Sequence, residues 1–332
     1  MKNPSHYLEA AVDAVSQAMI VCRHVQKSLD TLRAITKDDR SPVTIADFAS
    51  QAVVAALLRE HLGDIVLVGE ESASFLRDPA HAAHLAACRA AVCDTGIWPE
   101  ASERGLLDAI DIGAQEPHAE GFWTLDPIDG TKGFLRGEQY CISLAYIRGA
   151  DVQLGVLGCP NLGPDPAQIS PTGSLYHAMR GDGAMMVYDS ANATIETDIH
   201  HVELGPDEPA RLAESVESAH TRHELSEQVM NAAGPTRPSL RIDSQCKYAV
   251  VARGDADVYM RLPTKKEYSE RIWDHAAGAI IAQESGCTVT DIRGKPLDFS
   301  RGKGLDANLG ILGAPADLHA RLLKAIAALR PG

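Results

Sequence analysis

The chain has 332 residues, with 31 Lys+Arg against 45 Asp+Glu and a formal net charge of −14. Its 45% apolar and 23% charged content is that of a folded chain, long enough for one large or two ordinary domains, and excludes intrinsic disorder. The negative charge argues against a general nucleic-acid binder, whose affinity for phosphate backbones comes from cationic side chains. No run reaches the roughly 18–20 apolar residues of a bilayer span. The start MKNPSHYLEA shows neither an apolar signal core nor an Arg-rich transit pattern. Seven scattered cysteines, with no CxxC pair, predict neither a disulfide framework nor a zinc ribbon. A cytoplasmic location, with no membrane and no nucleic-acid partner, is the expectation.

Helical spacing of Tyr7, Leu8, Ala11, Val15, Ala18, Cys22 and Val25 predicts a long amphipathic helix over 7–35. Ser41-Pro42 interrupts it, and a second helix is expected from Ala46 to His61, closed by Gly63. Asp64–Gly69 reads as a short strand ending at Glu70-Glu71, and 75–118 as Ala-rich helix broken at Pro79, Gly96, Pro99 and Pro117. Strands are expected at Phe122–Leu125, Cys141–Ile147, Val152–Leu157, Leu175–Met179 and Ala184–Tyr188, the last four pairing as two hairpins. Residues 160–174, with four Pro, form a loop and a candidate domain boundary. Strands and helices then alternate: a helix over Trp273–Ser285 stopped by Gly286, strands at Cys287–Thr290 and Leu309–Leu312, and a closing helix over Pro315–Leu329. Mixed α and β in stacked layers is the expected class.

Four segments place carboxylates where stability does not ask for them: Asp47 in SPVTIAD, Glu70-Glu71 after a strand, LDPIDGT with Asp126 and Asp129, and Trp273-Asp274 opening a helix. In LDPIDGT, Pro127 restrains the backbone between two aspartates three positions apart, a turn able to aim both into one volume. Two like charges about 4 Å apart repel by roughly 4 kcal/mol at an effective dielectric near 20, so a proton or cation must sit between them. Oxygen-only ligands select a hard cation, and Mg²⁺ is the natural candidate. Gly130-Thr131-Lys132-Gly133 then offers backbone N–H groups to a phosphate. The bland alternatives are an Asp-Gly turn and an Asp274 that merely caps its helix.

VGEES (Val68–Ser72), LDPIDGTKGF (Leu125–Phe134) and WDHAAG (Trp273–Gly278) resemble the three signatures of the Mg²⁺-dependent, lithium-sensitive phosphatases, the superfamily of inositol monophosphatase and fructose 1,6-bisphosphatase. SPVTIAD, GTKGFLRGEQY, ESVESAH (Glu214–His220), DSQCKY (Asp243–Tyr248) and ADVYMRLP (Ala256–Pro263) resemble its 3′(2′),5′-bisphosphate nucleotidases. The 56 positions from Glu70 to Asp126 also fit the longer insertion of that subfamily. The resemblance runs from Ser41 to Pro315, except over 76–118, whose role it leaves open.

The resemblance implies a layered α-β-α-β-α sandwich with an N-terminal α+β part (1–158) bearing most metal ligands and a C-terminal α/β part (159–332) bearing the nucleotide pocket. It implies hydrolysis of adenosine 3′,5′-bisphosphate to AMP and phosphate, and of the sulfated analogue to adenosine 5′-phosphosulfate. A role in sulfur assimilation and salt tolerance and inhibition by Li⁺ and Na⁺ go with it, and a monomer is the expectation. Two or three Mg²⁺ are implied: one on Glu70, Asp126 and the Ile128 carbonyl, a second on Asp126, Asp129 and Asp274, and a weaker one near Glu70. Asp47 and Thr131 are implied to orient and deprotonate the attacking water. Thr131, His220, Ser244, Lys247, Arg261 and Asp274 are implied to bind substrate, with Lys247 and Arg261 on the second phosphate.

Read from residues alone, Lys247 can equally snorkel from a strand and Arg261 can pair with Asp257. An inositol polyphosphate 1-phosphatase is the alternative within the class, and a non-catalytic nucleotide sensor the alternative outside it. His81, His84 and Cys88 share a helix face at i, i+3 and i+7, but no fourth ligand is clear, and accidental histidines are the expectation. Trp123 and Trp273 flank the acidic motifs and read as packing.

Overall fold

A computed structural model describes residues 3–28, 45–190, 193–216, 223–263 and 269–329. Helix α1 (Pro4–Lys27) buries Ala11, Val15, Ala18, Cys22 and Val25 of the stripe read from the sequence, together with Ala14, and packs against α2 (Ile45–Leu62), whereas Tyr7 and Leu8 are only partly buried. The expected continuation of the first helix beyond residue 28 lies outside the described residues. The Ala-rich stretch resolves into α3 (Ser74–Arg77), a 3₁₀ turn at Pro79–His81, α4 (Ala82–Asp94) and α5 (Glu103–Asp111).

The first sheet runs in the order β1 (Leu67–Gly69), β2 (Phe122–Asp129), β3 (Cys141–Arg148), β4 (Asp151–Cys159), β5 (Ser174–Met179), β6 (Gly183–Asp189), β7 (Thr194–Ile199). Only β1 and β2 are parallel; the others follow one another as antiparallel neighbours. Along β3, Ile142, Leu144 and Tyr146 pack on the α1/α2 side, while Cys141, Ala145 and Ile147 pack on the opposite side, the period of two that a sheet buried on both faces requires. The edge strand β7 was not read from the sequence: TIETDI carries four charged or hydroxyl residues facing water and no turn signal of a hairpin kind.

The second sheet has the order β11-β12-β10-β8-β9, built from β8 (Ala210–Glu214), β9 (Thr236–Arg241), β10 (Val258–Arg261), β11 (Cys287–Thr290) and β12 (Ile311–Pro315). Between the two sheets lie α8 (Cys246–Ala252) and α9 (Ala276–Glu284). On the far face, α7 (His223–Ala233) and α10 (Ala316–Leu329) close a third cluster through Val229, Met260, Leu312 and Leu322. With α6 (Thr131–Arg136) on the loop after β2, the layers are α-β-α-β-α, as expected. The change from first to second sheet falls in 200–209, and position 158/159 lies inside the first sheet at the end of β4.

Helix α9 begins at Ala276, so Trp273-Asp274 does not open it. Turn bonds Asp274 N–H to Arg271 O and His275 N–H to Ile272 O occupy that backbone first. Asp274 is therefore not the helix cap; His275 holds that position. The neighbouring Gly278 is a space requirement: a Cβ there would stand 2.1 Å from the ring of fully buried Tyr248. In an open helix, Gly to Ala gains about 1 kcal/mol, whereas overpacking a tight core costs about 1–3 kcal/mol. The second effect wins here, so Gly278→Ala lowers the urea midpoint at unchanged m-value; a raised midpoint would contradict this packing.

Candidate active site

The site forms where α2, the end of β1, the β2–α6 turn, the Asp243–Gln245 loop with the start of α8, and the turn before α9 meet. The β2–β3 register explains how two aspartates three apart reach it. Asp126 pairs with Ser143 but Asp129 with Cys141, so β2 spends one residue more than β3. In a regular strand, residues three apart face opposite sides; the extra residue at the Pro127–Ile128 bulge returns both carboxylates to one side. Pro127 has no N–H to lose from the ladder. Asp126 Oδ1 accepts the Ile128 N–H at 3.0 Å, holding the turn from within.

The four acids interact. Asp126 is buried and its pKa is raised, first by burial and then by Glu70, Asp129, Asp274 and Asp47. Glu70, which keeps part of its surface in solvent at the end of β1, is pushed up to about 7 by the protein around its carboxyl and by Glu71 and Asp129, against a hydrogen bond with Asp126 and the charge of Arg271. Asp274 is likewise pushed to about 7 by burial and by Asp129 and Glu70, with His275 and Arg261 opposing. Asp129 is raised by burial, and Lys247, the Gln245 N–H and Arg261 offset part of this. No three of these four acids bring carboxylate oxygens all within 4.8 Å of one another; among the described residues the one trio that close is Glu270, Asp274 and His275. In that trio Glu270 already accepts Arg261 Nε at 2.9 Å and faces His275 Nε2 at 3.4 Å, while His275 Nδ1 meets the Tyr248 hydroxyl at 3.0 Å. A set of mutually repelling, oxygen-only carboxylates still fits a hard divalent cation, which replaces the protons they would otherwise retain.

Asp47, in the first turn of α2, is buried and adds to the field on Asp126. Thr131 Oγ1 donates to the Ile128 carbonyl at 3.4 Å, which sets that hydroxyl beside the expected metal-facing carbonyl. Gly130, at φ 90°, lets the chain turn into α6, and a Cβ there would come within 2.9 Å of Ser244 Cβ. Ser244 is itself the one described non-glycine residue with positive φ, 65°. The two loops thus meet at van der Waals distance.

Asp129, Thr131, Lys132, Ser244, Lys247, Arg261 and Asp274 share the lining of one cavity of about 290 Å³. Lys247 is buried, with its Nζ 3.4 Å from the Ile242 carbonyl and 5.6 Å from the centre of the Tyr259 ring. It does not snorkel to solvent. Burial pushes its pKa down while Asp129 and Asp243 hold the charge. Arg261 is bound to Glu270, and Asp257 instead takes Arg237 at 2.7 Å and His201 at 3.3 Å. His220 lies outside the described residues.

Several contributors were not read from the sequence. Gln245, inside the quoted DSQCKY, gives its N–H to Asp129 Oδ2 at 2.6 Å, its Nε2 to the Trp273 carbonyl at 2.9 Å, and accepts the Gly278 N–H at 3.1 Å. It thereby ties the Asp129 turn to the Asp274 segment. On α2, Ser50 Oγ donates to the Pro127 carbonyl at 3.0 Å. Asp47, Ser50 and Gln51, at i, i+3 and i+4, form a buried polar stripe on a helix otherwise lined by apolar residues, and that spacing was the available signal. Trp123 packs on Tyr7 and Tyr146, as expected. His81 stacks on Phe75 at 3.7 Å, His84 meets the same ring edge-on, and Cys88 Sγ donates to the Ile45 carbonyl, so no metal trio forms there among the described residues.

The inositol monophosphatase family model matches residues 3–330. A 3′(2′),5′-bisphosphate nucleotidase of Emericella nidulans is 40% identical, covering 94% of this chain and 95% of its own. The 3′(2′),5′-bisphosphate nucleotidase 1 of Arabidopsis thaliana is 43% identical over 96% and 95%, and that of Schizosaccharomyces pombe 36% over 97% and 95%. Among solved structures, the inositol monophosphatase of Anabaena aligns at TM-score 0.62 with 20% identity, covering 100% of this chain and 98% of that one. The Thermotoga maritima enzyme aligns at 0.63 with 19% identity over 97% of each. The chain belongs to the inositol monophosphatase family.

Proposed function

We propose that this chain is a Mg²⁺-dependent phosphatase that removes the 3′-phosphate of adenosine 3′,5′-bisphosphate, leaving AMP, and acts in the same way on the sulfated analogue. The observation that carries this reading is one cavity with two kinds of wall: Asp129 and Asp274 on the acidic side, Lys247 and Arg261 on the cationic side. In a chain of net charge −14, a paired Lys and Arg beside an acid cluster suit a substrate with two phosphates, one held through cations and one through side chains. The relatives named as 3′(2′),5′-bisphosphate nucleotidases support the substrate class.

The family is generally Mg²⁺-dependent. In this reading Glu70, Asp126 and the Ile128 carbonyl hold one Mg²⁺, Asp126, Asp129 and Asp274 a second, and a weaker third sits near Glu70. Bound there, the ions supply charge neutralisation of the phosphate and polarise the attacking water. Asp47 and Thr131 orient that water and take its proton, which requires the Thr131 hydroxyl to turn from Ile128 toward Asp47; the long 3.4 Å contact holds it only weakly. The water oxygen bonds to phosphorus as the ester P–O bond breaks, and the departing ribose oxygen takes a proton from a solvent water, whose hydroxide is neutralised by the proton that Asp47 and Thr131 release. Lys247, Arg261 and Ser244 hold the second phosphate, and His220 lies along the nucleotide. Inhibition by Li⁺ and Na⁺ and a place in sulfur assimilation and salt tolerance complete the proposal.

The test is phosphate release from adenosine 3′,5′-bisphosphate, AMP and inositol 1,4-bisphosphate at equal Mg²⁺. The expected order puts the nucleotide bisphosphate first in kcat/KM, with AMP untouched. A higher kcat/KM for the inositol substrate would make the chain an inositol polyphosphate 1-phosphatase, and tight nucleotide binding without release at any Mg²⁺ concentration would make it a sensor.

A second test follows from the raised carboxyls. Glu70 and Asp274 titrate near 7 in the fold, above the unfolded value near 4. Their protonation stabilises the metal-free fold fully at acid pH, and that contribution is lost as pH rises through 7. Mg²⁺ then has more to restore at high pH, so the rise in Tm caused by saturating Mg²⁺ is larger at pH 8 than at pH 6. An equal or reversed difference contradicts the cage.

A further inference from the structure

Residues 76–118 separate two acidic motifs and carry none of the expected site residues, yet their far end grips one of those motifs. Gly69 N–H donates to the Gly113 carbonyl at 2.8 Å, and Val68 and Ala114 form an isolated antiparallel bridge. Asp111, the last residue of α5, accepts the Ala73 N–H at 3.0 Å on one oxygen and Arg77 Nη2 at 2.6 Å on the other. The backbone is therefore seized immediately before Glu70 and shortly after Glu71.

Gln51 completes the grip from inside. Its side chain is fully buried on α2, and its Nε2 donates to the Glu71 carbonyl at 2.7 Å and to the Ile110 carbonyl at 2.9 Å. Its Oε1 accepts the Glu71 N–H at 3.1 Å. Both donors and one acceptor lone pair are spent on the two segments, leaving little rotational freedom. The fit excludes larger neighbours: a Cβ at Gly69 would lie 2.4 Å from Oε1 and one at Gly113 2.5 Å from Nε2. Glu70 N–H is bound to the Leu125 carbonyl at 3.2 Å, on the residue preceding Asp126. With its backbone held on every side, Glu70 retains only side-chain freedom.

The geometry points to Gln51 as a positioning residue that, braced against the 110–114 end of the insertion, fixes the Glu70-Glu71 turn and thereby sets the affinity of the site for divalent cations. This rests on the reading above in which Glu70 holds Mg²⁺. Groups that orient metal ligands typically change metal affinity about 10–100-fold when removed.

The test is calorimetric titration of the full chain with Mg²⁺ alone, without substrate. Gln51→Leu, similar in bulk but unable to bond either segment, is expected to weaken Mg²⁺ binding about 10-fold or more. Leu58→Ala, a buried change about two turns further along the same helix that removes no hydrogen-bonding group, is the control for general loosening and keeps wild-type affinity. Asp111→Asn, which weakens the brace from the surface and leaves the buried amide in place, shifts affinity in the same direction by less; it decides the matter should Gln51→Leu fail to fold. Wild-type affinity in Gln51→Leu, an equal loss in Leu58→Ala, or no change in Asp111→Asn when it alone can be read overturns the role of Gln51. Because no substrate is present, absent phosphate release by the wild type counts against the proposed reaction only, whereas a wild type that takes up no Mg²⁺ overturns the metal reading itself.

Discussion

Mutual repulsion among Glu70, Asp126, Asp129 and Asp274 is the constraint that organises this molecule. Each of these carboxyls is pushed toward its neutral form by burial first; acidic neighbours add to this at Glu70, Asp126 and Asp274, while at Asp129 Lys247, the Gln245 N–H and Arg261 offset part of it. A fold that gathers such groups in the absence of any counter-charge works against itself by several kcal/mol. The surrounding structure carries that strain through backbone and amide hydrogen bonds, some of which, such as that from the Gln245 N–H to Asp129, are donated to the carboxyls themselves and favour their charged form.

Three devices do the holding. The β2 bulge turns Asp126 and Asp129 to one side. The buried stripe of α2 reaches the acidic turns through Ser50 and Gln51. Gln245 spans from Asp129 to the turn before α9, where Asp274 sits. The last two link elements remote in sequence, so the site is assembled only when α2, the first sheet and the central helices have docked. Opposite the acids, Lys247 and Arg261 give the cavity its second electrostatic character, and Glu270 fixes Arg261 from behind.

Much of this was legible in the sequence. The apolar stripe of α1, the hairpins and the layered class follow from local periodicity and turn chemistry, and LDPIDGT offers two aspartates in a turn able to aim both into one volume. Register was not legible: nothing in the LDPIDGT string says that β3 contributes one residue fewer than β2. The start of α9 was misplaced because Trp273 and Asp274 fit an apolar-polar helical pattern, while the N–H groups of Asp274 and His275 are spent on a preceding turn. Arg261 was given Asp257 as its alternative partner on proximity in sequence, whereas its partner is Glu270, nine residues on. Gln51 and Gln245 escaped notice for a general reason: an amide inside an apolar run carries no charge to mark it, and its importance lies wholly in which distant carbonyls it meets.

The central claim is that the four acids form one receptacle for divalent cations. Anomalous scattering from crystals of the protein grown with Mn²⁺ in place of Mg²⁺ tests it most directly. The account predicts anomalous peaks enclosed by Glu70, Asp126, Asp129 and Asp274. Peaks confined to Glu270 and His275, or no ordered ion at saturating Mn²⁺, would contradict it.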